Sequence, residues 1–150
     1  YEADHWRHLM AAADLNTIRS TIEARLATEL AGSPVIPVVF HNMPYEPTPN
    51  SSWVQCQVSF GDNDYLTQGG TSDSDNLIVG IMVMNIFTPR GVGPGSNYVI
   101  GKRVRDLYNR VNVSGVYFDA PSGPEALASP APEGYFQTQV RVTFESIEEL

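Results

Sequence analysis

The sequence predicts an α+β fold in which a single, mostly antiparallel β-sheet carries two main helices on one face. Apolar residues recur every three or four positions over residues 15–30 and 96–111, which is the spacing of an amphipathic helix. Apolar and polar residues alternate over residues 53–60 and 135–146, which is the period of a half-buried strand. The order of elements (helix, strands, helix, strands) argues for one sheet.

Length and composition are those of an ordinary globular protein. The 150 residues suffice for one domain with a single core, which we assign to residues 14–150. Residues 1–13 show no clean period and are interpreted as an N-terminal arm. No apolar run approaches the roughly 18 residues needed to cross a bilayer. The polar start lacks a secretory signal, so we expect synthesis in the cytoplasm.

Charge and cysteine content bear on the class of function. A formal net charge of −8 argues against general binding to a nucleic-acid backbone, which requires clustered Lys and Arg. The single cysteine, Cys56, cannot form an intrachain disulfide, and no Cys/His cluster suggests a structural metal. Cys56 lies in the middle of a predicted strand on its apolar side, where a thiol is usually buried and inert. We therefore expect no metal and no cofactor.

The first helix has recognisable signals at both ends. Asp14 or Asn16 can cap its start, and Gly32 ends it. Residues 35–40 then predict a short strand, and Pro37 favours an edge position because proline removes a hydrogen-bond donor. The apolar stripe of the helix consists of Leu15, Ile18, Ile22, Leu26 and Leu30.

A proline-rich loop and a long apolar strand follow. Residues 43–52 contain three prolines and predict an extended loop ahead of the 53–60 strand. Residues 61–75 are polar and acidic, which predicts a long loop or a projecting hairpin. Residues 77–87 are apolar on both faces, which is typical of a central strand or of a strand whose second face is covered by a helix or a partner.

A Gly/Pro-rich break at residues 88–96 joins that strand to the second helix. Ser96 is the predicted cap of this helix, which we expect to span residues 96–111. Glycines before a helix can hold an anion, but the Lys-Ser/Thr pair of a nucleotide loop is missing, so we favour a plain connection. Residues 113–119 predict a short strand, and residues 120–134 predict a loop.

Acidic side chains concentrate between residues 61 and 75. The run Asp62-Asn63-Asp64 places hard oxygen ligands close together, which would suit a divalent cation. The segment lacks the glycine and the closing glutamate of a calcium loop, so a solvated loop or an interface loop is favoured over a metal site. The sequence contains no motif of a catalytic nucleophile. The histidines His5, His8 and His41 are not spaced to bind a metal from one helix face.

Basic side chains concentrate on the second helix. Five of the nine Lys and Arg residues lie between Arg90 and Arg110, whereas the rest of the chain is strongly acidic. Such segregation suits self-association, in which a basic face of one subunit meets an acidic face of the next, as well as it suits an ordinary solvated helix. The predicted subunit-interface residues are Lys102, Arg103, Arg105, Arg110 and Trp53.

One stretch of the sequence carries a family resemblance. In chain order, the first helix is followed by the prolines ahead of Trp53-Val54-Gln55 and then by the apolar strand at residues 81–87. The Gly/Pro break and the second helix come next, and the 136–144 strand is the last element. This order, over roughly residues 14–146, resembles the tail terminator-like proteins of long-tailed bacteriophages and prophages.

The resemblance implies a structural virion protein with no catalytic residues. Such a protein assembles as a hexameric ring on the head-proximal end of the tail tube, where it ends tube polymerisation. Its expected partners are further copies of itself, the tail tube protein, and a neck or head-completion protein. DNA would pass through the ring without specific binding, and no membrane is involved.

A ring around DNA is expected to have a channel wall that repels phosphate. The residues that we predict to line the channel are Asp62, Asp64, Asp73 and Asp75.

Other functions stay open at this stage. A neck or head–tail joining protein and a tail tube subunit belong to the same assembly. A metal-dependent enzyme would need ligands converging on the acidic segment from several parts of the chain. A ligand-binding domain would need an enclosed apolar pocket.

Overall fold

A computed structural model describes residues 14–65, 75–127 and 132–149, with the backbone alone at residues 62–65 and 148–149. The residues within these ranges form two helices and seven strands. In chain order they are α1 (Leu15–Ala31), β1 (Val38–Phe40), β2 (Trp53–Tyr65), β3 (Asp75–Pro89), α2 (Gly95–Leu107), β4 (Asn112–Val113), β5 (Val116–Phe118), β6 (Ser122–Ala126) and β7 (Tyr135–Glu149).

The strands form one mixed sheet. The strand order is β1-β2-β3-β7-β5-β4, and β6 pairs with β7 beside this path. β1 pairs with β2 in parallel, whereas the other pairings are antiparallel. Parallel neighbours require a crossover connection, and the proline-rich segment between Phe40 and Trp53 provides it. The predicted α+β class is confirmed, and β1 lies at the sheet edge as Pro37 predicts.

Helix α1 follows its sequence signals closely. The Asp14 carboxylate accepts a hydrogen bond from the Thr17 backbone N–H at 2.8 Å, so Asp14 is the cap. The other candidate, Asn16, instead accepts hydrogen bonds from Arg19 within the helix. The stripe residues that are buried are Ile18, Ile22, Leu26 and Leu30, whereas Leu15, in the first turn, is exposed.

Helix α2 is shorter than predicted. Pro94 is its N-cap, with no capping hydrogen bond from a side chain, so the assignment of this role to Ser96 is wrong. The helix ends at Leu107 because the chain turns at residues 108–110, where Arg110 has a φ of 54°. A side-chain-bearing residue in this left-handed region cannot continue a right-handed helix.

Two apolar clusters pack against the sheet. The larger contains buried residues of α1, α2, β2, β3, β5 and β7, among them Cys56 and Met84. The smaller consists of Val39, Trp53, Phe87 and Tyr135, with Tyr45 packed against it. Successive strand residues point to opposite faces, so Trp53 and Val54 belong to different clusters. We call the face of the larger cluster the inner face and the other the outer face.

The three long strands extend beyond their predicted ends. β2 continues to Tyr65 through a register shift between Phe60 and Asn63, and β3 begins at Asp75. Residues 61–75, predicted as a long loop or a projecting hairpin, are therefore strand at both of their described ends, and the antiparallel pairing of β2 with β3 agrees with the hairpin alternative. β7 reaches Glu149 because its backbone pairs with β3 along the whole length of that strand.

The segment between α2 and β7 also differs from prediction. A single strand at 113–119 is replaced by the β4–β5 hairpin, because Ser114 and Gly115 both adopt positive φ angles, 49° and 86°, and reverse the chain. The predicted loop at 120–134 contains β6, which pairs with β7. No helix in the described ranges is long and apolar enough to span a membrane.

Candidate assembly surfaces

Arg103 lies between the two helices. Its guanidinium donates to the Glu29 carboxylate at 3.0 Å and to the carbonyls of Pro34 and Gly32 at 2.7 and 3.1 Å, and it also contacts the Glu29 carbonyl. The last carbonyls of a helix have no partner within the helix. Arg103 supplies donors for the end of α1, and its side chain is only 18% exposed.

The other predicted interface cations of this region point to solvent. Lys102 and Arg105 both pair with Asp106, and the hydrogen bond from Lys102 lowers the pKa of that carboxyl. Arg110 is exposed and donates to the neighbouring Asn109 side chain. One carboxylate facing two cations leaves this helix surface positive. Arg103 thus differs in environment from Lys102, Arg105 and Arg110.

Apolar side chains accompany the exposed cations, which the sequence analysis missed. Val99 is 69% exposed and Tyr98 is also exposed. Helical spacing places Lys102 three and four residues after them, on the same surface. The signal in the sequence is that two large apolar residues, Tyr98 and Val99, fall outside the periodic positions of α2 whose side chains are buried. We call the surface formed by Tyr98, Val99, Lys102 and Arg105 the α2 stripe.

Trp53 is buried within the outer-face cluster rather than exposed. Its indole stacks on Phe87 at a centroid distance of 4.1 Å and contacts the rings of Tyr45 and Tyr135 at 5.0 and 6.2 Å. The indole Nε1 has no hydrogen-bond acceptor among the described residues. Only 7% of the residue is exposed. An interface role for Trp53 stays a prediction, and in this chain the ring packs against its own neighbours.

Amide side chains occupy the middle of the outer face. Asn85 lies at the centre, where it donates to Gln55 at 3.4 Å and accepts from Gln137 and Gln139 at 2.9 and 3.1 Å. These residues come from β2, β3 and β7, which the register places side by side. The outer face is therefore polar at its centre and aromatic at the Trp53 end.

The far end of the long strands is acidic. The register places Asp75 opposite Glu149, Asn76 opposite Glu148, and Asp64 opposite Leu77. Of the predicted channel residues, Asp62 and Asp64 lie in β2, Asp75 begins β3, and Asp73 lies outside the described residues. The β7 terminus also contributes to this end, because strand pairing brings Glu145, Glu148 and Glu149 to it, which was not predicted from the sequence.

A groove lies beside this acidic end. It has a volume of about 300 Å³ and is lined by Leu77, Tyr117, Glu145, Ser146 and Ile147. Tyr117 is 38% exposed, and Val79, which the register places opposite Glu145, is 39% exposed. Glu145 forms no ion pair among the described residues. We call this feature the outer groove; it combines apolar walls with a solvent-accessible carboxylate.

Buried ionisable groups lie in the main core. Burial raises the pKa of the Cys56 thiol to about 12, with a smaller contribution from the charge of Glu23. Burial also raises the pKa of Tyr108, whose hydroxyl donates to the Ile22 carbonyl at 2.7 Å. Neither group faces an open cleft. Among the described side chains, no three His, Cys, Asp or Glu residues converge in a group that could hold a metal ion.

The described residues thus form an α+β domain with a buried aromatic outer cluster, an acidic strand end and an exposed apolar-basic helix surface. Residues 17–144 match the family model of the phage tail terminator protein. The chain therefore belongs to the phage tail terminator family, as its element order predicts. This family is one of structural proteins, so the chain is a structural component of a phage tail and hence of the virion.

A solved structure supports the fold independently. It aligns with a TM-score of 0.65 over 90% of this chain and 96% of the matched chain, at 15% sequence identity. At this identity the likeness concerns the fold alone. No curated protein matches the chain.

Proposed function

We propose that the chain forms a closed hexameric ring on the head-proximal end of the tail tube. The ring ends tube polymerisation and offers its other side to a neck or head-completion protein. The observation that carries this proposal is the family match over residues 17–144. The proposed partners are further copies of the chain, the tail tube protein, and a neck or head-completion protein.

Two properties of the fold support ring formation. We place both helices on the inner face, so that the outer face is available to a neighbour. A closed ring is built from heterologous contacts, in which two different surfaces of each subunit meet. The chain has such different surfaces, because the α2 stripe is positive and the outer face of the sheet carries the solvent-accessible carboxylate of Glu145 beside exposed apolar side chains.

DNA passage through the ring is part of the same proposal. A channel wall of carboxylates repels phosphate and lets DNA slide without sticking. We assign this wall to Asp62, Asp64, Asp73 and Asp75. Replacing all four with Asn is expected to retain rings and to slow DNA ejection from assembled particles. DNA ejection at the unaltered rate would contradict the assignment of these four residues to the channel wall.

Negative-stain microscopy with a solution mass measurement tests the proposal as a whole. Uniform closed rings of six copies, free or at the ends of added tail tubes, are expected. Long tubes formed by the chain alone would instead identify a tail tube subunit. Rings that bind heads but never tube ends would identify a neck or joining protein. Heat released on titration with a divalent cation would instead support the alternative of a metal-dependent enzyme.

A further inference from the structure

We propose that the outer groove of one subunit receives the α2 stripe of the next copy of this chain. This contact rests on the proposed ring and specifies which two surfaces meet in it. The structure offers both halves on one chain: an apolar groove with an acidic residue, and an exposed helix surface with apolar and basic residues.

The groove half is suited to an apolar side chain flanked by a cation. Its floor and walls come from Leu77 and Ile147, which pair directly across β3 and β7, and from Tyr117 on β5. Val79 and Tyr117 leave more than a third of their surface in water. Glu145 lies between them in the register and Asp119 follows β5. The Asp119 carboxylate already accepts a hydrogen bond from the Thr143 hydroxyl at 2.7 Å. Burying these apolar surfaces beside two negative charges is favourable only if a cation accompanies them.

The stripe half supplies the complementary groups. Val99 is the most exposed large apolar residue of α2, and Tyr98 lies beside it. Lys102 and Arg105 stand one and two turns further along the helix and share the single carboxylate of Asp106. The stripe can therefore bring apolar surface to the groove and a net positive charge to Glu145 and Asp119.

The positions of the two halves exclude a symmetric dimer through this contact. The groove lies on the outer face of the sheet, whereas α2 packs its buried side against the inner-face cluster. One subunit therefore meets the next front to back, and every subunit retains a free groove and a free stripe until the assembly closes. This is the heterologous arrangement that a ring requires.

Cross-linking of defined pairs tests the contact directly. Val99→Cys and Tyr117→Cys are placed on separate chains, mixed, assembled, and treated with a short thiol-reactive cross-linker. Covalent dimers are expected from the mixture and not from either variant alone. The buried Cys56 adds no reactive thiol to the folded chain. The matched control pairs Val99→Cys with Met43→Cys, since Met43 is exposed but lies in neither surface.

Charge exchange provides a second measurement. Glu145→Lys and Lys102→Glu are each expected to weaken self-association about tenfold, and a chain carrying both is expected to recover assembly. Circular dichroism checks that each variant is folded.

Each outcome decides between the two proposals. Rings that form without the Val99–Tyr117 cross-link, or charge variants without rescue, overturn this contact and leave the ring intact. A chain that never assembles, alone or on tail tubes, overturns the proposed function and the contact with it.

Discussion

The guanidinium of Arg103 on α2 binds the Glu29 carboxylate at 3.0 Å and covers the carbonyl end of α1. Two helices that are distant in sequence are thereby joined through one side chain. The neighbouring Lys102 pairs with Asp106 one turn along the same helix. A cation that joins the two helices and a cation that is exposed to solvent therefore occupy consecutive positions.

Arg103→Ala is expected to lower the free energy of unfolding by about 2–3 kcal/mol, because charged hydrogen bonds to Glu29 and to the end of α1 are lost. Urea denaturation measures the change. Arg105→Ala, which removes an exposed cation, serves as the control and is expected to stay within about 0.5 kcal/mol of the wild type. Equal effects of the two substitutions would contradict the capping role. Assembly tests should therefore use Arg105 rather than Arg103.

Asn97→Ala is expected to destabilise the fold by about 3 kcal/mol. Its side-chain amide donates to the carbonyls of Ile86 and Phe136 and to the Thr88 hydroxyl, and its oxygen accepts from Thr138, all at a fully buried position. Removing it leaves buried polar groups without partners. Thermal and urea unfolding measure the loss. The exposed Ser96→Ala is the control, and a loss of similar size there would refute the buried network as the cause.

Gly80→Ala is expected to cost about 1–3 kcal/mol. A Cβ atom there would lie 2.3 Å from Cζ of Phe144 and 2.7 Å from the Ser59 carbonyl oxygen, so the backbone has to shift. Gly61→Ala is a matched control in the same strand pair, because its nearest neighbour, the Val79 carbonyl, would be 3.6 Å away. The control is expected to be neutral or slightly stabilising. Equal unfolding midpoints for the two variants would be inconsistent with this packing.

Stability is expected to fall as the pH rises above about 9. Burial raises the pKa of the Cys56 thiol from its ordinary value of 9.0 to about 12, so the unfolded chain loses this proton first. The stabilisation that comes from the protonated Cys56 thiol is complete below pH 9.0. It is lost as the pH rises towards the pKa of the thiol in the folded chain, with a slope of up to about 1.4 kcal/mol per pH unit.

Urea denaturation at pH 9 and pH 10 measures this slope, and Cys56→Ala is expected to flatten it. Burial also raises the pKa of Tyr108, which adds a similar loss at higher pH. Thiol labelling at pH 8 provides an independent check. The native chain should be unreactive and the unfolded chain reactive. Rapid labelling of the folded chain would show that Cys56 is accessible.

Local signals were sufficient where neighbouring residues decide the structure. The cap Asp14 and the buried stripe of α1 lie within one helix, so periodicity predicts them. The predicted end of α2 at residue 111 was wrong, because Val111 continues the apolar spacing whereas the backbone of Arg110 turns away from the helix. The β4–β5 hairpin was missed for a similar reason, since a turn at Ser114 and Gly115 lies within an otherwise strand-like run.

The candidate surfaces were likewise predicted only in those features that depend on neighbouring residues. Sequence showed that the cations concentrate on α2 and that carboxylates concentrate between residues 61 and 75. It did not show that Arg103 turns inward, because the carboxylate and the carbonyl of Glu29 that it binds belong to a helix 74 residues away in the sequence. It also did not show that the β7 terminus joins the acidic end, because strand register depends on pairing between distant segments.

The sequence by itself determined the α+β class, the two helices, the main strands, the segregation of charge and the resemblance to tail terminators. These properties follow from local periodicity, composition and element order. Only the tertiary structure decided the parallel pairing of β1, the burial of Trp53, the placement of the groove beside Tyr117 and the different environments of Lys102 and Arg103. Periodicity reports which side of an element is apolar, whereas the atoms that lie opposite that side are set by the packing of segments far apart in the chain.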